Sequence, residues 1–411
     1  LTVEEARQLL TANGSDVPNA FSVTVAIGNK TWTVDSSNVP AQRDLGNVLE
    51  RAYAIGRTNT TAIQSTLQTP FRERTNRAVA LRESGINLTT TASYDHEAVR
   101  ALVADIAAYV TRDPVDAQIQ SFDYATRTFS FTESQPGVTL DQDLLYERVT
   151  AALDRWESGV TVTVDPIVTE PAVTKDELVA SFGLVAAYTT ETTNDSNRNT
   201  NIDLACQAIN GTALMPGETF SFNQATGQRT TEKGYKSAGA IAAGQSIEEV
   251  GGGICQVSST LFNAVARANL EIVSRSPHAW PSTYVNIGED ATVNWPNLDF
   301  QFKNNTKSPI FIITYYKNRR MSAEIWGMSL GEGVTIDLQS TIIKTIDPPS
   351  EVKYELNTDL PYGTEKTTVK ARTGYVVETE KVWYKDGQET RRELLHTSNY
   401  RAYQQVIEYN Y

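Results

Sequence analysis

Apolar residues recur at two spacings along this chain. In the opening LTVEEARQLL, Val3, Ala6, Leu9 and Leu10 repeat at helical spacing behind Thr2 and Glu5, a capping-box pair. Residues 20–57 carry two strand-like runs, FSVTVAIG and KTWTVDSS, and then the amphipathic LGNVLERAYAIG. Residues 116–156 repeat that order. AQIQSFDYATRTFSF alternates about a polar turn and predicts a hairpin. TLDQDLLYERVTAALDRW predicts a helix capped by Thr139 and Gln142, with Leu144, Leu145, Val149, Ala152 and Trp156 as its buried stripe. DHEAVRALVADIAAYV is a further helix between the two halves, with His96 at the surface of its first turn. The repeated order suggests a weak duplication within an α+β module whose helices pack on antiparallel sheet.

The pattern changes at VTVTVDPIVTEPAVTKDEL (160–178), a strand that runs into a Pro- and Thr-rich stretch, and this sets the main domain boundary. Residues 178–330 hold two helical stretches among strands and many glycines. They close with three alternating strands separated by NNTKS and KNRR turns. From about 334 no helical period remains, and Gly363, Gly374 and Gly387 punctuate an all-β pattern. The expected fold class is therefore multidomain α+β. A lead-in module spans 1–93 and a second α+β module 94–177. A mixed α+β domain covers 178–332, and a small β-rich module 333–411.

Charge and composition narrow the classes of function. A net charge of −13 argues against a nucleic-acid surface, which needs clustered Lys and Arg. No run of about 18 apolar residues is present, so no membrane span is expected. A sequence opening at Leu1 in mid-helix suggests that any signal or anchor segment lies upstream. The two cysteines, Cys206 and Cys255, cannot make a disulfide framework, though one bridge between them is conceivable. Cys206 reads as a small apolar core residue. With three histidines and no HExxH or CxxC spacing, neither a metal nor an organic cofactor is expected.

The chemistry concentrates at EEVGGGICQVSST (248–260). After Cys255, Val257, Leu261, Ala264, Val265 and Ala268 recur at helical spacing, with Gln256, Asn263 and Arg267 on the other face. This sets Cys255 at a helix N-terminus, whose unpaired N–H groups and positive dipole end favour a thiolate. The amides of Gly252, Gly253 and Ile254 can serve as an oxyanion hole, and glycines admit a substrate close to the backbone. His278, held between Pro277 and Pro281, is the candidate base. The group that orients it is open between Asp290, Tyr284 and a backbone carbonyl. Trp280, Tyr284, Arg229, Ser258 and Ser259 are candidate substrate contacts. The same pattern is also compatible with a tight turn before a buried, inert cysteine.

These residues resemble the VanW family, named for an accessory gene of vancomycin-resistance clusters. The resemblance rests on NGTALMPGETFSFNQATGQRTTEKGY, GGGICQVSSTLFNAV, EIVSRSPHAWPSTYV and DATVNWPNLDFQFKNNTKSPIFI. YDHEAVRALVADIAAYV, PGVTLDQDLLYERV and the 160–178 stretch resemble the peptidoglycan-binding modules that precede such domains in Gram-positive surface proteins. The first 60 residues resemble a lead-in from a membrane anchor, and 334–411, with VWYKDGQE, a wall-associated G5 module. The resemblance implies an extracellular protein at the cell wall, anchored through a segment upstream, with peptidoglycan stem peptides and glycan as partners. It is expected to work as a monomer.

A cysteine behind a Gly-rich turn, paired with a histidine, is similar to the active-site logic of L,D-transpeptidases, which form 3–3 crosslinks. Their His-Gly-Cys motif is absent here. The expected activity is a cysteine L,D-transpeptidase with Cys255 as nucleophile and His278 as base. A stem-peptide peptidase or carboxypeptidase and a non-catalytic wall-binding protein are the alternatives.

Overall fold

The computed structural model describes residues 1–18, 20–56, 71–242 and 245–411. Cα packing divides them into two compact units, one of residues 1–117 with 134–173, the other of 118–133 with 174–411.

The first unit is built on a three-stranded sheet. Ser22–Ile27 lies in the middle, antiparallel to Lys30–Asp35 and parallel to Ser158–Thr163. Strict alternation along Ser22–Ile27 turns Val23, Val25 and Ile27 into the core. The helices His96–Val110 and Gln142–Leu153 meet them there with Val99, Val103, Ile106, Leu145, Val149 and Leu153. Thr2 and Glu5 form the capping box of the helix Val3–Ala12, as the pattern predicts. The later helix differs: its cap is Asp141, whose carboxylate accepts from Leu144 N at 2.9 Å, not Thr139. A carboxylate one residue before the helix outcompetes a threonine two positions earlier. Leu153 joins the buried stripe, while Trp156 lies beyond the helix end at φ 54° and is only partly buried. The helix Phe71–Ser84 has no apolar period and escapes sequence reading.

The hairpin of the 116–156 segment forms as expected, from Ile119–Asp123 and Thr128–Phe131. It nevertheless belongs to the second unit. Its aromatic face explains this: Phe122 lies 4.9 Å from Phe311 and 5.7 Å from Trp326, ring centre to centre, and Phe129 lies 5.3 Å from Phe182. The bidentate pair of Arg127 with Glu324, at 2.8 and 3.2 Å, fixes its tip. A repeated module is therefore not what the order of elements meant.

In the second unit an antiparallel sheet runs Phe182–Glu191, Arg320–Met328, Ile310–Lys317, Thr212–Leu214. The helices Ser196–Ile209 and Ile254–Arg267 pack on it through Ile202, Ala205, Cys206, Val257, Leu261 and Val265. A second sheet runs Thr219–Ser221, Gln301–Lys303, Glu271–Ser274. The C-terminal residues are all β: Val334–Ile346, Gly374–Lys385 and Gln388–Tyr400 form one sheet. Lys353–Leu356, Val406–Asn410 and Thr364–Val369 form another. Among the described residues no helix is long and apolar enough to cross a membrane.

Candidate active site

The helix Ile254–Arg267 is buried on every side, so its polar residues do structural duty. Gln256 and Asn263, expected on an outer face, are 1% and 0% exposed. Gln256 Nε2 donates to Thr190 Oγ1 and to Glu191 O, both at 2.8 Å, and Asn263 Nδ2 to Glu289 O at 2.8 Å. Ser258 and Ser259 are corrected in the same way. Both are fully buried; Ser258 Oγ donates to Ala291 O at 2.6 Å and Ser259 Oγ to Cys255 O at 2.7 Å. They fasten the helix to the segment carrying Asp290 and have no surface left for a substrate.

Each glycine before the helix has its own steric reason. Gly251 and Gly253 sit at φ 92° and 103°, the left-handed region. Gly252 has ordinary φ but lies against the neighbouring hairpin: a Cβ there would stand 2.4 Å from Ala238 O. The buried Asn201 locks the turn, donating to Gly252 O at 3.0 Å and Lys236 O at 2.9 Å. The expected oxyanion donors shift as a result. Gly252 N donates to Glu249 O at 3.1 Å and Ile254 N to Gly251 O at 3.3 Å, so turn formation engages both. Among the described residues, the amides that these turns leave open are those of Gly253 and Cys255.

Cys255 therefore begins the helix half-buried and unbridged, as is the fully buried Cys206. His278 comes from an irregular segment 23 positions on, 8% exposed. Its Nδ1 lies 2.5 Å from Asp290 Oδ2, which also accepts from the His278 amide at 2.7 Å. The other oxygen of Asp290 accepts from Arg275 Nη2 at 2.9 Å and from the Tyr400 hydroxyl at 2.5 Å. Burial alone raises a carboxyl pKa, yet hydrogen bonds and charge from His278, Arg275 and Tyr400 outweigh it and hold Asp290 at about 2. Burial disfavours the imidazolium, but Asp290 and Cys255 reverse that and push His278 up to about 10. Burial likewise opposes the thiolate. A hydrogen bond and charge from His278, with Arg229 adding charge, bring the Cys255 thiol below its ordinary value. With Nδ1 held by Asp290, Nε2 is the nitrogen left for the sulfur. Both directions favour a thiolate–imidazolium pair backed by an ionised aspartate, and the Cys255 sulfur also lies 3.4 Å from Val293 O. Cys206, by contrast, is driven far up by burial, which favours its neutral thiol.

The remaining predicted residues divide. The Tyr284 hydroxyl stands 3.3 Å from His278 Nε2, with its pKa held far above the usual range by burial, so it stays a neutral phenol beside the pair. Arg229 reaches the site too, over the Phe222 ring at 5.6 Å. Trp280 is corrected: it is 6% exposed, with its ring edge on Tyr403 at 5.6 Å and Arg372 stacked over it at 4.3 Å. Packing against Arg372 and Tyr403, which bridge to each other outside the C-terminal strands, takes its faces away from any cleft. Sequence reading missed Arg198, Arg275 and Tyr400. Arg275, three residues before His278, was within reach of inspection, but Tyr400 lies 110 positions from Asp290 and no local pattern marks it. From the same strand Ser398 Oγ takes Arg275 Nη1 at 2.7 Å, and the His396 ring meets Gly288 O at 2.8 Å.

Comparison with known proteins gives three family matches in chain order. Residues 32–161 match the model described as "Putative peptidoglycan binding domain", 197–326 the VanW like protein model, and 339–410 the G5 domain model. The uncharacterized protein YoaR of Bacillus subtilis strain 168 is 32% identical over 299 residues, covering 72% of this chain and 94% of YoaR. The vancomycin B-type resistance protein VanW of Enterococcus faecalis strain ATCC 700802 / V583 is 33% identical over 115 residues, 27% of this chain and 42% of that protein. Among solved structures, the IgA1 protease G5 domain is 22% identical with a TM-score of 0.14, covering 19% of this chain and 92% of that one. HP0197-G5 is 14% identical at a TM-score of 0.11, covering 18% and 96%. Cys255, His278 and Asp290 all fall inside the VanW match.

Proposed function

This chain belongs to the VanW family, with a G5 domain at its C-terminal end, and from that premise we propose that it is a cell-wall cysteine acyltransferase, an L,D-transpeptidase that joins peptidoglycan stems through their third residues. The observation that carries this reading is the buried His278–Asp290 hydrogen bond beside Cys255 at a helix start, which the lowered thiol and raised imidazole support. The match to a peptidoglycan-binding domain supports the cell wall as the place of work and the stem peptides and glycan as partners.

In this reading the Cys255 thiolate attacks the carbonyl carbon of the stem's third residue. The C–S bond forms as the carbonyl oxygen takes the negative charge, facing the amides of Gly253 and Cys255. Collapse breaks the C–N bond to the terminal D-alanine, whose nitrogen takes its proton from the His278 imidazolium. The neutral imidazole then removes a proton from the side-chain amine of a second stem. That amine attacks the thioester, a new C–N bond replaces C–S, and the thiolate is restored. Asp290 holds His278 in one tautomer and stabilises its charge. A hydrolase would share the first half, with water as acceptor.

The test is intact-protein mass after incubation with disaccharide-tetrapeptide and acid quench. A thioester adduct on the native chain, lost in Cys255→Ala and formed roughly 10²–10⁴ times more slowly in His278→Ala, is expected. No adduct under any condition would leave the wall-binding alternative standing.

A further inference from the structure

Around Cys255, Asp290 pairs with both His278 and Arg275. Two more guanidinium groups stand beside Cys255. Arg198 comes from the first turn of Ser196–Ile209, and Arg229 from the loop after Phe222–Thr226. Their stems lie on the glycine turn: a Cβ on Gly253 would stand 2.6 Å from Arg198 Cγ, and one on Gly251 3.0 Å from Arg229 Cβ. Two of the three glycines thus hold an arginine against the backbone that leads into Cys255.

Among the described residues neither arginine has an acidic partner. Arg198 Nη1 and both terminal nitrogens of Arg229 are buried without a hydrogen bond among the described residues. The nearby carboxylates are engaged elsewhere: Asp195 caps Arg198 N at 3.0 Å, and Asp299 takes Ser221 Oγ at 2.6 Å, Asn223 N at 2.8 Å and Gln301 Nε2 at 2.9 Å. Burial lowers the pKa of both guanidinium groups, with the Cys255 charge only partly offsetting this. Unpaired buried cations are costly and persist where a ligand completes them. Both residues keep part of their surface, as does Cys255, and each lies close enough to feel the Cys255 charge.

We propose that Arg198 and Arg229 form an anion subsite that takes the free carboxylate of the residue just beyond the scissile bond. This rests on the acyl-transfer reading and assigns the residues that hold the leaving group's carboxylate. When the carbonyl of residue three lies at Cys255, the carboxylate of residue four is only about one residue length, roughly 3.8 Å, away. In a tetrapeptide stem that carboxylate is terminal and ionised; in a pentapeptide the same position is a neutral amide. The subsite therefore selects tetrapeptide donors. A guanidinium fork matches carboxylate geometry, which suits Arg rather than Lys at both positions.

The experiment is equilibrium binding, by calorimetry, to the full chain carrying Cys255→Ala, so that no turnover intervenes. The ligands are disaccharide-tetrapeptide with its free terminal carboxylate and the same molecule ending in carboxamide. The acid form is expected to bind roughly 10- to 100-fold more tightly. Adding Arg198→Gln or Arg229→Gln should each erase most of that preference, without loss of thermal stability, because each removes an unpaired buried charge. Equal binding of acid and amide, or binding of neither, overturns the proposal. If the Gln variants fail to fold, the acid–amide comparison on Cys255→Ala alone decides it. Failure of the acyl-transfer reading would look different: acid preference intact, but no thioester on the native chain.

Discussion

At the scale of single residues, Cys255 and Cys206 make an internal contrast. One thiol is lowered against its own burial by a histidine and an arginine, the other raised by burial. Iodoacetamide should modify Cys255 quickly, with a rate that levels off below the usual thiol pKa of about 8.5, and leave Cys206 untouched in the folded chain; peptide mapping reads both. The pair also shapes stability. A raised histidine stabilises fully below its unfolded pKa of about 6.5, and loses that contribution as pH climbs through about 10. A lowered thiol stabilises above about 8.5 and loses its contribution as pH falls through its folded value. Above both about 6.5 and the folded thiol value, and below about 8.5, unfolding then exchanges no net proton at this pair. The difference in unfolding free energy between the native chain and the Cys255→Ala/His278→Ala variant should be level there and fall above it. A steady slope across that window would contradict the ion pair. Cys255, His278 and Asp290 were visible as candidates because unusual residues sit in unusual backbone. Ser258, Ser259 and Trp280 were misjudged because adjacency in sequence says nothing about which way a side chain faces.

At the scale of elements, the glycine turn and its helix behave as one part. Gly252→Ala would drive a methyl into Ala238 O and Gly239 O, at 2.4 and 2.8 Å, and backbone atoms cannot swing aside. A loss of about 1–3 kcal/mol, or more, is expected from overpacking, read from urea unfolding. A turn with room to spare would show no change. The helix itself was legible from period alone, but not its complete burial. Gln256 and Asn263 look like an outer face until Glu191 O and Glu289 O appear as their acceptors. Polar residues that satisfy distant backbone carry the same letter as polar residues that meet water. The hairpin of 119–131 teaches the same lesson, since its strands were predictable while their partner, an aromatic face around Phe311, was not.

At the scale of the whole molecule, the C-terminal strands do more than follow the segment that carries Cys255, His278 and Asp290. The Tyr400 hydroxyl accepts from Gly288 N at 2.8 Å and donates to Asp290, while Ser398 holds Arg275. Tyr400→Phe should cost about 1–3 kcal/mol by leaving buried partners unsatisfied. It also removes a donor that keeps Asp290 low. A lowered carboxyl stabilises above its unfolded pKa and loses that contribution as pH falls through its folded value, so acid unfolding of the variant should begin at higher pH than in the native chain. A module that merely spaced the domain from its surroundings would leave both midpoint and acid limb unmoved. Alternation alone foretold an all-β tail. Its contribution to the site arises from packing across more than a hundred positions, which no window of sequence reports.

Acyl transfer by Cys255 is the central proposal. Purified disaccharide-tetrapeptide incubated with the chain, and with Cys255→Ala beside it, should give by mass spectrometry a dimer lighter than two monomers by one free alanine. Fragmentation should place the new bond between third residues, and the variant should give none. Unchanged substrate with both proteins would contradict the account, and a trimmed monomer without dimer would make the chain a hydrolase instead.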